Sequence, residues 1–582
     1  MAGVDGLPYN VRGTLRAGGK HGEVCRSPVC ANSERRKLMS KLPLEDKEHG
    51  IHRAKIWEIG FYACNNLSTN LYMLLMGSIS YYLIGIVGLG AVLAGSIGTI
   101  MRIWDGVTDP FVGLIVDKTD TKFGKNRPFI VIGQIILFGM SFAMFHVLPS
   151  VSMSLRFPLY IVFYCLYIIG YTCQCVVTKS AQPCLTNDPS QRPIFAMFDS
   201  VYLVVVFNFW YPVFLSGTLI PKYTLNSAQH ADKIAAMVAQ NPTLANILVE
   251  KDGVQILNGF YNPEMWTYFQ LLMGGLSFIL AVLGIIGLWR KDRKEYFGVG
   301  NDQKVTVKDY IDVLAHNRGI QMLVISASSD KLAANARSNS AVMAVLFGVI
   351  FGNYAMQGSV SAITTIPILL ITLLAFNQVA RKLGQKKCLL VGTYGSLASA
   401  VLMIFVVLAS ANKGIFSVPT FNLTKIATFG NLFDFSQWSL MGVLWIILAV
   451  FFGAFGNMAG NIVIPMTADC TDYEVYRSGR YVPGLMGTLF SFVDKLISSL
   501  APTLVSVIYA AAGFSQALPT NDSPYSTGIL WATIALYFGM PAIGWICNII
   551  AMKFYPLTKE KMEEIQEEVA RIKLEAQKGA KA

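Results

Sequence analysis

Inside a long apolar stretch, Arg102, Asp105 and Asp109 stand about one helical turn apart, with Pro110 immediately after. At 100° per residue the three fall within about 60° of one helical face, with Thr108 at its margin. Two carboxylates a turn apart, with a hydroxyl, make an oxygen-rich nest of the kind a small monovalent cation needs. The same pair can share one proton, because like charges that close raise one pKa. A structural Arg–Asp network at a helix end is the third reading. Other polar groups interrupt apolar runs in the same way. Glu58, Tyr62, Asn65/Asn66 and Thr69/Asn70 form a stripe at i, i+4, i+7/8 spacing, which either faces a watered cavity or knits helices by hydrogen bonds; a cavity is the expectation. Tyr164, Tyr171, Thr172, Cys175 and Lys179 share a further segment, and Ser491, Asp494, Lys495 and Ser498 another. The neighbours Asp494 and Lys495 point in different directions on a helix, so they need not neutralise each other. The run 326–340 holds Asp330, Lys331, Asn335, Arg337 and Asn339. It is expected to be a broken helix, tolerated only where the backbone lines water or protein.

The elements that position these groups follow from composition. Of 582 residues, 53% are apolar and 14% charged, against about 25% charged in a soluble domain, and the mean hydropathy is +0.48. The apolar residues come in runs of about 20, enough to cross about 30 Å of hydrocarbon as a helix. Ionisable groups within such runs cost several kcal/mol unless paired or wet, so each is a functional candidate. This composition describes an all-α polytopic membrane protein and excludes a soluble enzyme. Twelve spans are expected, near 57–82, 84–108, 129–149, 157–180, 196–220, 265–289, 320–350, 358–380, 388–410, 438–466, 484–513 and 528–554. The net charge of +12 is read as topology rather than nucleic-acid binding, because cytoplasmic loops collect Lys and Arg. Loops 117–127, 290–318 and 381–387 and the C-terminal tail are basic, whereas 77–90 and 148–156 hold almost no Lys or Arg. Both termini are therefore expected in the cytoplasm. The 10 cysteines show neither zinc spacing nor a paired extracellular pattern, and read as small buried hydrophobes. No phosphate-cradling Gly loop with a Walker lysine is present, so ATP drive has no support, and no cofactor beyond a coupling ion is expected.

The expected organisation is a polar cytoplasmic N-terminal arm (1–50), a six-helix bundle (51–289) with an external loop (221–264), a cytoplasmic linker (290–319), a second six-helix bundle (320–555) and a cytoplasmic amphipathic tail (556–582). The external loop carries a helical centre near 231–249. In the tail, Ile565, Val569 and Ile572 share one helical face, which is expected to lie on the protein's own surface rather than to dock a partner. Arg35-Arg36 precede Met39, and an AGG-AGG codon pair there would read as a ribosome-binding site. Met39 as the natural start and a disordered arm from Met1 are equally compatible with the residues. The loop after the second span, Asp117-Lys118-Thr119-Asp120-Thr121-Lys122-Phe123-Gly124-Lys125, has a counterpart after the eighth, Gln378-Val379-Ala380-Arg381-Lys382-Leu383-Gly384-Gln385-Lys386. Two pseudo-symmetric halves of this kind are how major facilitator transporters are built, with substrate bound between them near the bilayer midplane.

Arg102-Ile103-Trp104-Asp105-Gly106-Val107-Thr108-Asp109-Pro110, Gly124-Lys125-Asn126-Arg127-Pro128, and Asp469-Cys470-Thr471-Asp472-Tyr473-Glu474 with Gly479, Gly484 and Lys495 together resemble the glycoside–pentoside–hexuronide:cation symporter family, whose best-known member is melibiose permease. The likeness covers about residues 51–555. It implies a cation site at Asp105, Asp109, Thr108 and Thr172. Thr108 stands where some members use an Asn for sodium, which leaves Na⁺ and H⁺ both open. It places Lys495 near cation and substrate, and Asp469 and Asp472 at an inner gate, to which Asp117 and Arg127 of the first basic loop are added. The sugar side departs from the family's pattern: by ungapped counting its acids become Asn66 and Cys175, an aromatic platform becomes Lys179, an arginine becomes Ser200 and a tryptophan becomes Gly460. Tyr62, Asn66, Arg102, Cys175, Lys179, Arg337 and Lys495 are therefore the expected substrate contacts. With two acids gone and Lys179 added, the pocket leans positive, which suits an anionic sugar such as a hexuronide; Lys179 paired with Asp494 or Asp330 is the structural alternative.

The sequence thus points to a secondary symporter coupling H⁺ or Na⁺ entry to uptake of a sugar or glycoside across a prokaryotic cytoplasmic membrane. Its partners would be a small sugar, a monovalent cation and the lipid bilayer, with neither nucleic acid nor ATP. A transporter of a non-sugar solute on the same fold, or a non-transporting sensor or scaffold, are the alternatives.

Overall fold

The computed structural model describes residues 45–46, 51–119, 121–186, 191–251, 253–293, 307–420, 434–478 and 493–579; the region around Met39, together with Gly479 and Gly484, lies outside them. After a short antiparallel ladder of β1 (Glu45–Asp46) and β2 (Ile51–His52), the described residues are mostly helical. The first part contains α1 (Ile56–Met76), α2 (Ala91–Lys118), α3 (Arg127–Phe142), α4 (Met153–Ser180), α5 (Arg192–Leu203), α6 (Ser227–Gln240) and α7 (Pro263–Leu288). The second contains α8 (Val307–His316), α9 (Arg318–Arg337), α10 (Ser340–Ala344), α11 (Ala355–Leu383), α12 (Gln385–Ser410), α13 (Leu440–Asn461), α14 (Val463–Ser478), α15 (Ala501–Ala511), α16 (Thr527–Ile534), α17 (Met540–Phe554) and α18 (Lys559–Gly579). Among the described residues nine helices are long and apolar enough to cross a membrane, or ten when α1 and Ile79–Val87, bent by 43°, count as one span. The protein is a multi-pass membrane protein.

Helix boundaries have local causes. Proline sits in the first turn of α3, α5, α7, α15 and α17, where its missing N–H costs nothing. Side chains of Asn262, Asn317, Asn339 and Ser439 accept the first free N–H groups of α7, α9, α10 and α13. Asn339 explains the break expected in 326–340: its backbone is extended (φ −59, ψ 138), and its side chain caps α10. The second span departs from expectation. The apolar run places it at 84–108, but α2 begins at Ala91 and continues through Pro110 to Lys118. The loop expected at 77–90 is instead largely helical, as Ile79–Tyr82 and Leu83–Val87. Asp105 and Asp109 consequently lie mid-helix, not at a helix end.

α1 packs on α7, α3 and α2 on α4, and α5 on α1; in the second half α12 and α11 pack on α13, and α9 on α17. Among the described residues the halves meet along α2 against 501–511 and Val204–Leu219 against α11, and again at the cap face. Gly287 makes the α1–α7 contact close, since a Cβ there would lie 2.6 Å from the Tyr62 nitrogen.

One face carries a small cap built from segment 221–264. Strands β3 (Leu225–Asn226), β4 (Val249–Lys251) and β5 (Val254–Leu257) form an antiparallel sheet in the order β3-β5-β4 beside α6. The helix expected at 231–249 thus lies earlier, and the strands went unforeseen. The cap closes onto the second half. Asn258 Nδ2 donates to Asn521 Oδ1 at 2.9 Å and to Asp522 Oδ2 at 2.5 Å, and Tyr261 and Tyr81 donate to the carbonyls of Leu518 (2.7 Å) and Pro519 (2.6 Å). Burial holds the Asp522 carboxyl above its ordinary range, with the Asn258 bond and the Lys251 charge partly offsetting it. At the opposite face, α18 lies against α14, burying Met562, Ile565 and Val569. This is the self-docked tail face expected from the sequence; the side chain of Ile572 is outside the described residues.

Candidate functional site

The mid-helix position of the α2 acids brings three elements to one point. Asp105 is 2% exposed. It receives Arg102 Nη1 at 3.2 Å on one oxygen and Thr172 Oγ1, from α4, at 3.3 Å on the other. Thr108 Oγ1 lies 3.3 Å from Thr172 Oγ1 and donates to the Asp105 carbonyl at 3.1 Å. From the second half, Lys495 Nζ reaches Asp109 Oδ2 at 2.9 Å and Asp105 Oδ2 at 3.6 Å. Two cations and two carboxylates thus balance in one cluster, and its hydroxyls complete an oxygen cage. The neighbouring Asp494 turns away, as its position on the helix requires, and pairs with Lys331 of α9.

The polar stripe on α1, expected to face a cavity, bonds to neighbouring helices along most of its length. Asn65 and Thr69 bond Thr178 and Gln174 of α4, and Ser68 bonds Ser277 of α7; this side knits helices. Glu58 belongs to neither reading. It is buried in a two-pronged pair with Arg290, at 2.7 and 2.9 Å, at the end of α1 away from the cap. Tyr62 is buried, with its hydroxyl donating to the Thr178 carbonyl at 2.5 Å. Asn66 and Asn70 are half-buried, and Asn66 Nδ2 donates at 3.2 Å to Asp199 of α5, a carboxylate that sequence reasoning passed over. Cys175 sits beside Tyr171. Lys179 is exposed near the end of α4, and Asp494's ion pair is with Lys331 rather than Lys179. Arg337 lies over the rings of Phe452 (4.6 Å) and Tyr537 (5.7 Å).

The two repeated basic loops share a backbone feature. Gly124 and Gly384 both adopt positive φ, +97 and +82, a region open to glycine at little cost. In the first half Asp292, fully buried past the end of α7, accepts from the backbone N–H of Lys125, Asn126 and Arg127 and pairs with Arg127 Nε at 3.5 Å. Asp117 lies in the last turn of α2, with its side chain outside the described residues. In the second half Asp469 lies against Gln385 and beside Asp472. Two residues beyond Asp472, Glu474 takes Asn317 and Arg477, each at 2.8 Å. Asp292 was legible only as one charge in a basic loop, and Asp199 only as the neighbour of Ser200.

Comparisons with known proteins identify the family and the fold. The sequence profile of a family described as MFS/sugar transport protein matches residues 61–559. The isoprimeverose transporter of Lactiplantibacillus pentosus is 21% identical over 519 residues, covering 88% of this chain and 91% of that protein. The glucuronide carrier protein homolog of Escherichia coli (strain K12) is 22% identical over 520 residues, covering 87% and 94%. A bacterial homologue of the human lysosomal transporter Spinster shares the fold at a TM-score of 0.50 and 12% identity, over 86% of this chain and 96% of that one. With most of its length matched to that profile, the chain belongs to the MFS/sugar transport protein family and is a sugar symporter on the major facilitator fold.

Proposed function

We propose that Asp105, Asp109, Thr108 and Thr172 bind the coupling cation, Na⁺ or H⁺, and that Lys495 holds its place when it is absent. The observation that carries this is the reach of Lys495 Nζ to both carboxylates, 2.9 and 3.6 Å, from the opposite half of the molecule. A cation entering between the acids must displace the ammonium, because a third positive charge there is opposed by Arg102 and Lys495 together. Displacement cuts an ion pair that ties α2 to 493–511, so cation binding changes the balance between closed and open arrangements of the two halves. If the cation tightens sugar binding, sugar must tighten cation binding by the same factor.

The basic face carrying the tail is the cytoplasmic one in this reading, with both termini inside and the cap outside a prokaryotic cytoplasmic membrane. The cap-side seal then corresponds to the outward-closed arrangement. Asp292 and Asp469, each beside one repeated loop, would hold the inner gate together with Arg127, Asp472 and Asp117.

For the sugar, a neutral glycoside fits better than the anionic one expected from residue types. Lys495 is engaged by two acids, Arg337 lies on aromatic rings, and Asp199 adds a carboxylate beside Asn66. The test is ion movement in cells expressing the protein when isoprimeverose, lactose, methyl glycosides or glucuronides are added, with Asp109→Asn as control. Alkalinisation or Na⁺ uptake evoked by a neutral member and lost in the control is the expected result. A sugar-evoked signal that survives Asp109→Asn refutes the assignment of the cation site.

A further inference from the structure

Asp199 is a carboxylate within the membrane-spanning run Met197–Tyr223, where an ionisable group marks function by default. Its hydrogen-bond partner is an amide, Asn66 Nδ2 at 3.2 Å; among the described residues no Lys, Arg or His forms an ion pair with it. The arrangement around it is ordered. Asn70 Nδ2 donates to Asn66 Oδ1 at 3.0 Å and to the Asn66 carbonyl at 2.8 Å. That fixes the Asn66 amide with its oxygen toward Asn70 and its nitrogen toward Asp199. The register of α5 on α1 is set by Phe198, whose ring would lie 3.2 Å from a Cβ at Gly60, and by Phe195 against Tyr62 at 5.8 Å.

An ionised carboxylate offers about four acceptor sites, and one is occupied here. All three polar side chains are half-buried, so acceptor capacity remains open. A planar acid beside a planar amide, on adjoining helices, presents the acceptor–acceptor and donor–acceptor pairs that a vicinal diol satisfies. The cation cage on α2 and α4 is built from other residues, so this cluster is free for a different ligand.

We propose that Asp199, positioned by Asn66 and Asn70, is a specificity-determining residue that accepts hydrogen bonds from hydroxyls of a neutral sugar and disfavours uronates. The proposal rests on the sugar-symport reading above. Its test is initial uptake of a neutral methyl glycoside that the wild type transports, of its monodeoxy analogues and of the matching glucuronide, in wild type and Asp199→Asn. Replacing a charge-assisted bond by a neutral one is expected to raise KM about tenfold. Maximal rate and cation dependence stay unchanged, and the ratio of glucuronide to neutral uptake rises. One deoxy analogue, lacking the hydroxyl that Asp199 reads, should lose the effect, because the two changes then remove the same bond.

An unchanged KM, or an equal rise for every deoxy analogue, overturns the proposal while leaving symport intact. A wild type that moves no sugar in the panel overturns the symport reading itself. Should Asp199→Asn fail to reach the membrane, Asn70→Ala leaves the carboxylate in place and frees Asn66. It should give a smaller rise with the same deoxy dependence, and an unchanged KM there also overturns the proposal.

Discussion

Substituting Asp292 by alanine removes a side chain that no surface feature reveals, and the structure allows its effect to be worked out. The carboxylate is fully buried and accepts from three consecutive backbone N–H groups, at 3.2 Å for Lys125, 3.0 Å for Asn126 and 3.0 Å for Arg127, and from Asn126 Nδ2 at 3.0 Å. It also pairs with Arg127, whose guanidinium lies 4.8 Å from the Trp289 ring. Removing one partner of a buried pair costs about 3–5 kcal/mol, and bonds to a charged acceptor contribute about 1.5–3 kcal/mol each. Water can reach a loop at the membrane surface, so the lower bound applies, about 3 kcal/mol. If local opening exposes amides 125–127, that energy is about a hundredfold in their exchange rate. The assay is hydrogen exchange by mass spectrometry on a peptide spanning 121–130 of the purified protein. Asp292→Ala should speed exchange there about a hundredfold, and Asp292→Asn, which keeps one acceptor, by roughly the square root of that factor. A change under about threefold in Asp292→Ala would mean that the loop is held by something other than this carboxylate, and the reasoning fails.

Lys495→Met takes the cation cluster from balanced to one net negative charge. Sodium- or proton-dependent heat stabilisation of the purified protein should appear at roughly tenfold lower cation concentration or below; unchanged dependence would show that Lys495 does not compete for the site. Ile565→Asp places a charge at a fully buried contact of α18, at a cost of about 3 kcal/mol. Limited trypsinolysis should then cleave at Lys561 and Arg571 first, and wild-type resistance would contradict the docked tail. Asp522 holds its proton more tightly in the closed cap than in water. Its contribution to closure is therefore full in acid, below the ordinary carboxylate value, and fades as pH rises through the raised one. Thiol labelling at Thr520→Cys, as the ratio of the Asp522-containing protein to its Asp522→Asn counterpart, should climb with pH, and a flat ratio would refute the linkage.

Much of the site was legible because helical geometry is rigid. A 3.6-residue period alone places Arg102, Asp105 and Asp109 together and separates Asp494 from Lys495, and the structure has both arrangements. The crowding of polar residues before Ser340 likewise reads as a break, since Asn339 favours a cap over a helix interior. The second span, expected to end at 108, runs on past Pro110, a residue type that ends most helices in water. In a membrane helix neighbouring elements can satisfy the freed carbonyl, and α2 continues to Lys118. Asp199 and Asp292 were invisible for a different reason. Their partners, Asn66 and the 125–127 backbone, lie 133 and more residues away in sequence. No local pattern distinguishes such acids from ordinary charges at a span's edge or in a loop. The cap strands are two to four residues long, too short to carry an alternating signature.

The seal at the cap face is unequal in what each side contributes. From the first half come side chains: Tyr81, Tyr261 and Asn258. From the second half the tyrosines receive only carbonyls, those of Leu518 and Pro519, and a third carbonyl, that of Ser515, takes the Ala91 N–H. Main-chain acceptors are the same whatever residue bears them. The second half's side-chain contribution to the seal comes from Asn521 and Asp522, which take Asn258, whereas 515–519 closes through its main chain and, apart from the buried Leu518, can change its side chains without losing these bonds. Such a latch leaves most of 515–519 free to drift in sequence, while Asn521 and Asp522 beyond it are held by Asn258.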